Sequence, residues 1–118
     1  MAKVIHFEIP AEDPQQSKEF YAAVFGWQFN QMGQEDYWLA STGPDEEPGI
    51  DGAIIKRKDP AQPVTNNIRV ENIDAAAESI CENGGSIVVE KMHIPNVGQL
   101  LFFKDPDGNI FGAFQPEA

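Results

Sequence analysis

An internal repeat of 59 residues constrains the fold of this chain more than any other feature of its sequence. Asp13 and Asn72, each placed to cap a helix, are 59 residues apart. Gly49 and Gly108, each opening the last apolar run of its half, are separated by the same interval. A fixed offset that aligns both ends of a segment indicates two copies of one structural unit. The chain is therefore expected to fold as two similar modules.

Each module is predicted to contain a strand, a helix and three further strands. In the first half, Val4–Ile9 alternates between apolar and polar side chains, and Asp13 followed by Pro14 predicts a helix that ends at Gly26. The other strands of this half are predicted at 27–31, 37–41 and 50–57. The second half predicts strands at 64–70, 86–93, 99–104 and 109–115 and a helix at 73–83.

The fold class expected from this order is α+β, with two βαβββ modules in a single domain that covers 1–118. Module one is placed at 1–58, a polar, proline-bounded connector at 59–63 and module two at 64–118. The DPDG sequence at 105–108 predicts a tight turn between the last two strands. We expect curved, mostly antiparallel sheets that form a cleft, with the helices on the convex side.

Alternation along the strands predicts which side chains face this cleft. In the first strand, His6 and Glu8 point away from the helix, whereas Phe7 points toward it. Four aromatic residues, Trp27, Phe29, Phe103 and Phe114, are candidates for cleft walls, with core packing as the alternative for each. The residues predicted to contact a ligand are His6, Glu8, Thr65, Asn67, Arg69 and Phe114.

The charge and composition exclude several classes of function. Eight basic against nineteen acidic side chains give a net charge of −11, which disfavours nucleic-acid and anionic-membrane partners. The same charge attracts cations, although a solvated acidic surface is the commoner explanation. No apolar run is long enough to span a bilayer, and the N-terminus lacks the features of a secretory signal. Cytoplasmic localisation is expected. The single cysteine, Cys81, falls on the apolar stripe of the second helix, which predicts core packing.

Three segments in this order resemble the vicinal oxygen chelate superfamily, which includes glyoxalases, bleomycin-resistance proteins and extradiol dioxygenases. They are HFEIPAEDPQQSKEFYAAVFGW, VENIDAAAESICENGG and VGQLLFFKDPDGNIFG. The resemblance covers nearly the whole chain and implies the paired βαβββ fold. It also implies a homodimer, and the open edge strands of such sheets give a physical reason for pairing.

The resemblance further implies four positions for the ligands of a divalent metal ion: His6, Ala53, Thr65 and Gly112. Only His6 is an ordinary metal ligand, since Ala53 and Gly112 have no donor atom and Thr65 offers a neutral hydroxyl. Glu8, or His93 from a loop before Pro95, would have to complete such a site. We therefore predict a chain without metal or other cofactor.

The function predicted from the sequence is binding of a small organic molecule in the cleft. Whether the chain is an enzyme, and which residues would be catalytic, stay open, with His6 and Glu8 as candidates for acid–base roles. The alternative is a metal-dependent lyase, isomerase or dioxygenase of the same superfamily that uses His6. A module whose cleft is filled by its own side chains or by a second subunit is a third possibility.

Overall fold

The computed structural model describes residues 2–117, and within this range the chain forms eight strands and two helices. The elements are β1 Val4–Ala11, α1 Pro14–Phe25, β2 Gln28–Gln31, β3 Tyr37–Ser41, β4 Asp51–Lys56, β5 Thr65–Arg69, α2 Ile73–Glu82, β6 Ser86–Ile94, β7 Gly98–Lys104 and β8 Ile110–Pro116. This order confirms the predicted α+β class and the repeated βαβββ arrangement.

The described chain divides into two compact units. Residues 6–64 form the N-terminal unit, in which the strand order is β2-β3-β4-β1. Residues 65–117 together with 2–5 form the C-terminal unit, with the order β5-β8-β7-β6. In each unit one pair of strands, β1 with β4 or β5 with β8, is parallel and the others are antiparallel.

Both helices begin where the sequence predicted. The carboxylate of Asp13 accepts a hydrogen bond from the backbone N–H of Gln16 at 3.2 Å, and α1 stops at Gly26, whose φ of 75° is left-handed. The side chain of Asn72 likewise accepts from the N–H of Ala75 at 3.0 Å. Local capping therefore positions both helices.

The strand registers confirm the 59-residue repeat. Glu8 lies opposite Ala53 in the first unit, and Asn67 lies opposite Gly112 in the second. The predicted turn at 105–108 is also present, because Gly108 N–H bonds to the carbonyl of Asp105 at 3.0 Å. The two units are therefore built alike around their parallel strand pairs.

The core of the C-terminal unit lies between α2 and one face of its sheet. Ile73 of α2, Leu101 of β7 and Ala113 of β8 are each no more than 2% exposed and form one cluster. In the N-terminal unit, Ile54 of β4 is fully buried. Between residues 2 and 117, no helix is long and apolar enough to cross a membrane.

Candidate functional site

Three polar side chains of the N-terminal unit form a hydrogen-bonded chain on the sheet face opposite α1. The hydroxyl of Tyr37 donates to Glu8 Oε2 at 2.9 Å, and His6 Nε2 lies 3.1 Å from the same hydroxyl oxygen. Glu8 is only 7% exposed, so its carboxylate is nearly removed from bulk water. This chain joins two predicted site residues, His6 and Glu8, through one that was not predicted, Tyr37.

The strand order explains how Tyr37 reaches Glu8. Strand β4 lies between β1 and β3, so the tyrosine side chain must extend across it. Glu8 and Leu39 both lie opposite Ala53, and Tyr37 shares the face of Leu39 because it is two residues away. Ala53 is fully buried and presents only a methyl group. A small residue in the middle strand thus leaves room for the phenol ring.

The opposite face of the same sheet packs against α1. The ring of Phe7 lies 5.5 Å from that of Trp27, which stacks on Tyr21 of α1 at 4.8 Å. A Cβ added to Gly52 would overlap the Phe7 ring, so this face is tightly filled. The predicted alternation, with Phe7 toward the helix and His6 and Glu8 away from it, is confirmed.

Burial shifts the protonation of all three groups toward their neutral forms. It raises the pKa of the Glu8 carboxyl, against the opposing effects of the Tyr37 hydrogen bond and the charge of Lys58. It lowers the pKa of His6, although the Asp51 carboxylate acts in the other direction. Burial and the neighbouring Glu8 also raise the pKa of Tyr37, so its hydroxyl keeps its proton. His6 is therefore mainly neutral at pH 7.

The hydrogen-bond network assigns the tautomer of His6. The single hydroxyl proton of Tyr37 goes to Glu8, so the hydroxyl oxygen accepts from His6 Nε2–H. Nδ1 of His6 is then a free acceptor, and Glu8 Oε1 has no partner within residues 2–117. In that range the one fully buried side-chain N or O atom without a partner is Asn67 Oδ1, so both free acceptors keep contact with solvent.

The equivalent face of the C-terminal unit is built differently. Asn67 is 5% exposed, and its carboxamide lies directly over Gly112, since a Cβ at that glycine would overlap Asn67 Oδ1. Leu100 lies opposite Phe114 in the same way that Tyr37 lies opposite Ile55 in the other unit. A leucine cannot donate a hydrogen bond. Leucine in place of tyrosine at this position is the structural reason that Asn67, unlike Glu8, receives no hydrogen bond from the neighbouring strands.

The remaining predicted ligand residues belong to this C-terminal face. Thr65 is 7% exposed, and Arg69 is exposed and lies opposite Phe114. Ile68, between them in sequence, points to the other side and faces α2. Alternation in β5 is thus as predicted, and the role of these residues in ligand binding stays a prediction.

Three of the four aromatic residues predicted as cleft walls lie on the helix side of their sheets. Trp27 stacks on α1, and Phe103 packs against the core cluster beneath α2. Phe29 pairs with Ala40, which pairs with Gly52 on the α1 face. Core packing, the stated alternative, is correct for these three. Phe114 alone lies on the face opposite its helix.

Two further predictions are wrong. His93 lies within β6, opposite Gln99, as the strand predicted at 86–93 implies, and not in the loop before Pro95. Its exposed imidazole lies 3.3 Å from a carboxylate oxygen of Glu117. Cys81 is exposed, not part of the core, because the buried stripe of α2 runs through Ile73 and Ile80 and does not extend to position 81.

The residues at the metal positions of the superfamily do not fit a divalent ion. In the N-terminal unit, Ala53 supplies no donor, and the Nε2 atom of His6 is bonded to Tyr37. In the C-terminal unit, Gly112 is covered by Asn67. Within the described range no group of three or more His, Cys, Asp or Glu side chains is placed to hold a metal. The absence of a cofactor nevertheless stays a prediction.

Tyr37 is the functional candidate that sequence reasoning missed. The sequence predicts that Tyr37 begins a strand. Alternation along that strand shows which residues share its face, but not which of the two sheet faces that is. Its contact with Glu8 depends on β3, β4 and β1 lying side by side, which no local pattern specifies.

Comparison with known proteins gives a consistent family. A family model described as the Glyoxalase/Bleomycin resistance protein/Dioxygenase superfamily matches residues 3–112. A glyoxylase-like domain-containing protein of Didymella fabae is 29% identical over 108 residues, covering 86% of this chain and 84% of the relative. The protein "Putative glyoxylase CFP32" of Mycobacterium bovis is 24% identical over 113 residues. That match covers 92% of this chain and 43% of the relative, so this chain spans less than half of the mycobacterial protein.

A solved structure shares the fold at low sequence identity. A methylmalonyl-CoA epimerase variant of Streptomyces coelicolor, in complex with 2-nitronate-propionyl-CoA, has a TM-score of 0.69 and 14% identity. The similarity covers 100% of this chain and 96% of that chain. Because the family model spans most of the sequence and the element order agrees with it, this chain belongs to the glyoxalase/bleomycin resistance protein/dioxygenase superfamily.

Proposed function

We propose that the chain binds a small organic molecule, without a metal ion, on the sheet face that carries His6, Tyr37 and Glu8. The observation that carries this proposal is the nearly buried carboxylate of Glu8, hydrogen bonded to Tyr37 on a face that α1 does not cover. Polar groups gathered in this way, with perturbed pKa values, are typical of functional sites. The bound CoA ester of the Streptomyces epimerase supports small-molecule binding by this fold.

A contribution to folding stability explains the buried Glu8–Tyr37 contact less well than ligand binding does. Burial raises the pKa of Glu8, which means that its charged form is less favourable in the folded chain than in water. A polar contact that costs stability is more readily explained by a role in recognition. The proposal extends to Thr65, Asn67, Arg69 and Phe114 on the corresponding face of the C-terminal unit. The homodimer and the cytoplasmic location expected from the sequence stay predictions.

A compound screen tests the proposal, with the second tyrosine of the chain as a control. Purified full-length protein is heated with a diverse set of small molecules, and the Tm is compared among wild type, Tyr37→Phe and Tyr21→Phe. Tyr21 stacks on Trp27 beside α1, away from the candidate site. We expect compounds that stabilise wild type and Tyr21→Phe but lose most of this effect in Tyr37→Phe. Hits that stabilise all three proteins equally, or a complete lack of hits, would contradict the proposal.

A metal-dependent lyase, isomerase or dioxygenase is the second candidate. One observation favours it: His6 and Glu8 place a nitrogen and a carboxylate on the same face of one strand, both types of metal ligand. Elemental analysis of untagged protein, purified without chelator or metal-affinity resin, separates the two. Near-stoichiometric divalent metal that is lost in His6→Ala would overturn the metal-free proposal. Lack of metal, and no stabilisation by added divalent ions, would support it.

A further inference from the structure

The candidate site presents hydrogen-bond acceptors to a ligand and uses its donors internally. The hydroxyl proton of Tyr37 is donated to Glu8, and the Nε2–H of His6 is donated to Tyr37. Glu8 Oε1 and His6 Nδ1 are the atoms left over, and both accept. A ligand with N–H groups matches this arrangement.

The Glu8 carboxylate also lacks an ionic partner. Two ion pairs join residues within 2–117, Arg57–Glu12 and Lys91–Asp74, and the His93 imidazole contacts Glu117. None of these contacts includes Glu8. Glu8 is nevertheless only 7% exposed. A charge removed from water to this extent is costly unless an opposite charge comes into contact with it. Tyr37 supplies one neutral donor, which leaves the second oxygen of the carboxylate unmatched.

The surrounding charges do not neutralise the site. Asp51 lies opposite His6 in the strand register and adds a second carboxylate on the same face, where Thr42 bonds one of its oxygens. The charge of Lys58 acts on Glu8 through space, but Lys58 is exposed and forms no ion pair with it. Two carboxylates, Glu8 and Asp51, thus lie on this face, and the exposed Lys58 is the cation that acts on Glu8.

We propose that the ligand of this site carries a positively charged nitrogen, an ammonium or amidinium group, that donates to Glu8 Oε1. This inference rests on the proposed function and adds the chemical class of the ligand. Tyr37 acts as a positioning residue, since it fixes both the carboxylate and the tautomer of His6.

Three probes with one ring and different head groups test the charge. Benzylammonium, benzyl alcohol and benzoate are titrated into isotopically labelled full-length protein, and the NMR signals of His6, Tyr37 and their neighbours are followed. We expect benzylammonium to shift these signals and to bind at least about tenfold more tightly than the other two probes. Benzoate should be the weakest, because its charge is repelled by Glu8 and Asp51.

Three variants localise the effect. Glu8→Gln should remove most of the preference for benzylammonium over benzyl alcohol, while Glu35→Gln, which removes the same charge from an exposed turn, should retain it. Lys58→Gln leaves the site residues intact and should tighten binding of benzylammonium severalfold. If Glu8→Gln does not fold, an unchanged affinity in Lys58→Gln contradicts the proposal by itself.

The outcomes separate this inference from the proposed function. Binding of benzyl alcohol or benzoate at His6 and Tyr37 as tightly as benzylammonium would overturn the cationic ligand but not ligand binding. The cationic ligand would also be overturned, and ligand binding retained, if hits from the compound screen shift these signals but none of the three probes shifts them. A lack of any compound that acts through Tyr37 would overturn both.

Discussion

Glu8 and Asn67 occupy equivalent positions in the two modules, but only one of the two side chains has a hydrogen-bond donor beside it. Glu8 accepts from Tyr37, whereas Asn67 Oδ1 is buried without a partner within residues 2–117. The difference follows from one residue. Leu100 occupies in the C-terminal unit the position that Tyr37 occupies in the N-terminal unit. Buried polar atoms without partners are few in folded proteins, so each one calls for a physical explanation.

At the residue scale, the raised pKa of Glu8 predicts a pH-dependent effect of Glu8→Gln. The folded state binds the Glu8 proton more tightly than the unfolded state, so this contribution to stability is full below the ordinary glutamate pKa and lost as the pH rises through the raised value. We expect Glu8→Gln to raise the free energy of unfolding at pH 7 by an amount on the order of 1 kcal/mol. Below about pH 4 the variant should match wild type.

Urea denaturation at both pH values measures this effect. Glu35→Gln, in an exposed turn, serves as the control and should unfold like wild type at each pH. A Glu8→Gln protein that is less stable than wild type at pH 7 would show that the carboxylate stabilises the fold.

Gly112→Ala is expected to destabilise the protein because the new methyl group would overlap Asn67 Oδ1 and come within 3.2 Å of Leu100 Cδ1. Overpacking of this kind costs about 1–3 kcal/mol. Gly43→Ala is a matched control, since its Cβ would meet only Glu47 Oε2 at 3.4 Å. Chemical denaturation of both variants provides the comparison, and equal stabilities would mean that the Asn67 side chain can move aside.

At the scale of elements, capping decides where α1 begins. Asp13→Ala removes the acceptor for the N–H of Gln16 and should lower the free energy of unfolding by about 1 kcal/mol. Asp13→Asn retains a side-chain oxygen and should stay near wild type. Urea denaturation of the pair tests this, and equal losses in the two variants would point to the charge of Asp13 rather than to its hydrogen bond.

At the scale of the whole molecule, the net charge of −11 predicts a stabilising effect of salt. Repulsion among acidic side chains opposes the compact state, and salt screens it. The two ion pairs that salt would also weaken, Arg57–Glu12 and Lys91–Asp74, include exposed side chains and contribute little. We expect the Tm to rise by a few degrees between low and high NaCl concentration. A Tm that falls in differential scanning calorimetry would contradict this prediction.

Local patterns in the sequence determined the elements of this protein and the side of the sheet that many side chains face. Asp13 and Asn72 cap the helices, Gly108 closes the predicted turn, and His6 and Glu8 share a face opposite Phe7. Each of these features depends on residues that are neighbours in sequence, so spacing and residue type are sufficient to predict it.

The tertiary structure alone decided which side chains meet. Tyr37 and Glu8 are far apart in sequence, and strand β4 lies between their strands. The two side chains meet because the residue of β4 beside them is the small Ala53, over which the tyrosine can reach. Packing against α1 likewise turns Trp27 away from the candidate site. Such contacts depend on strand order and side-chain packing over long sequence distances, which a local pattern does not encode.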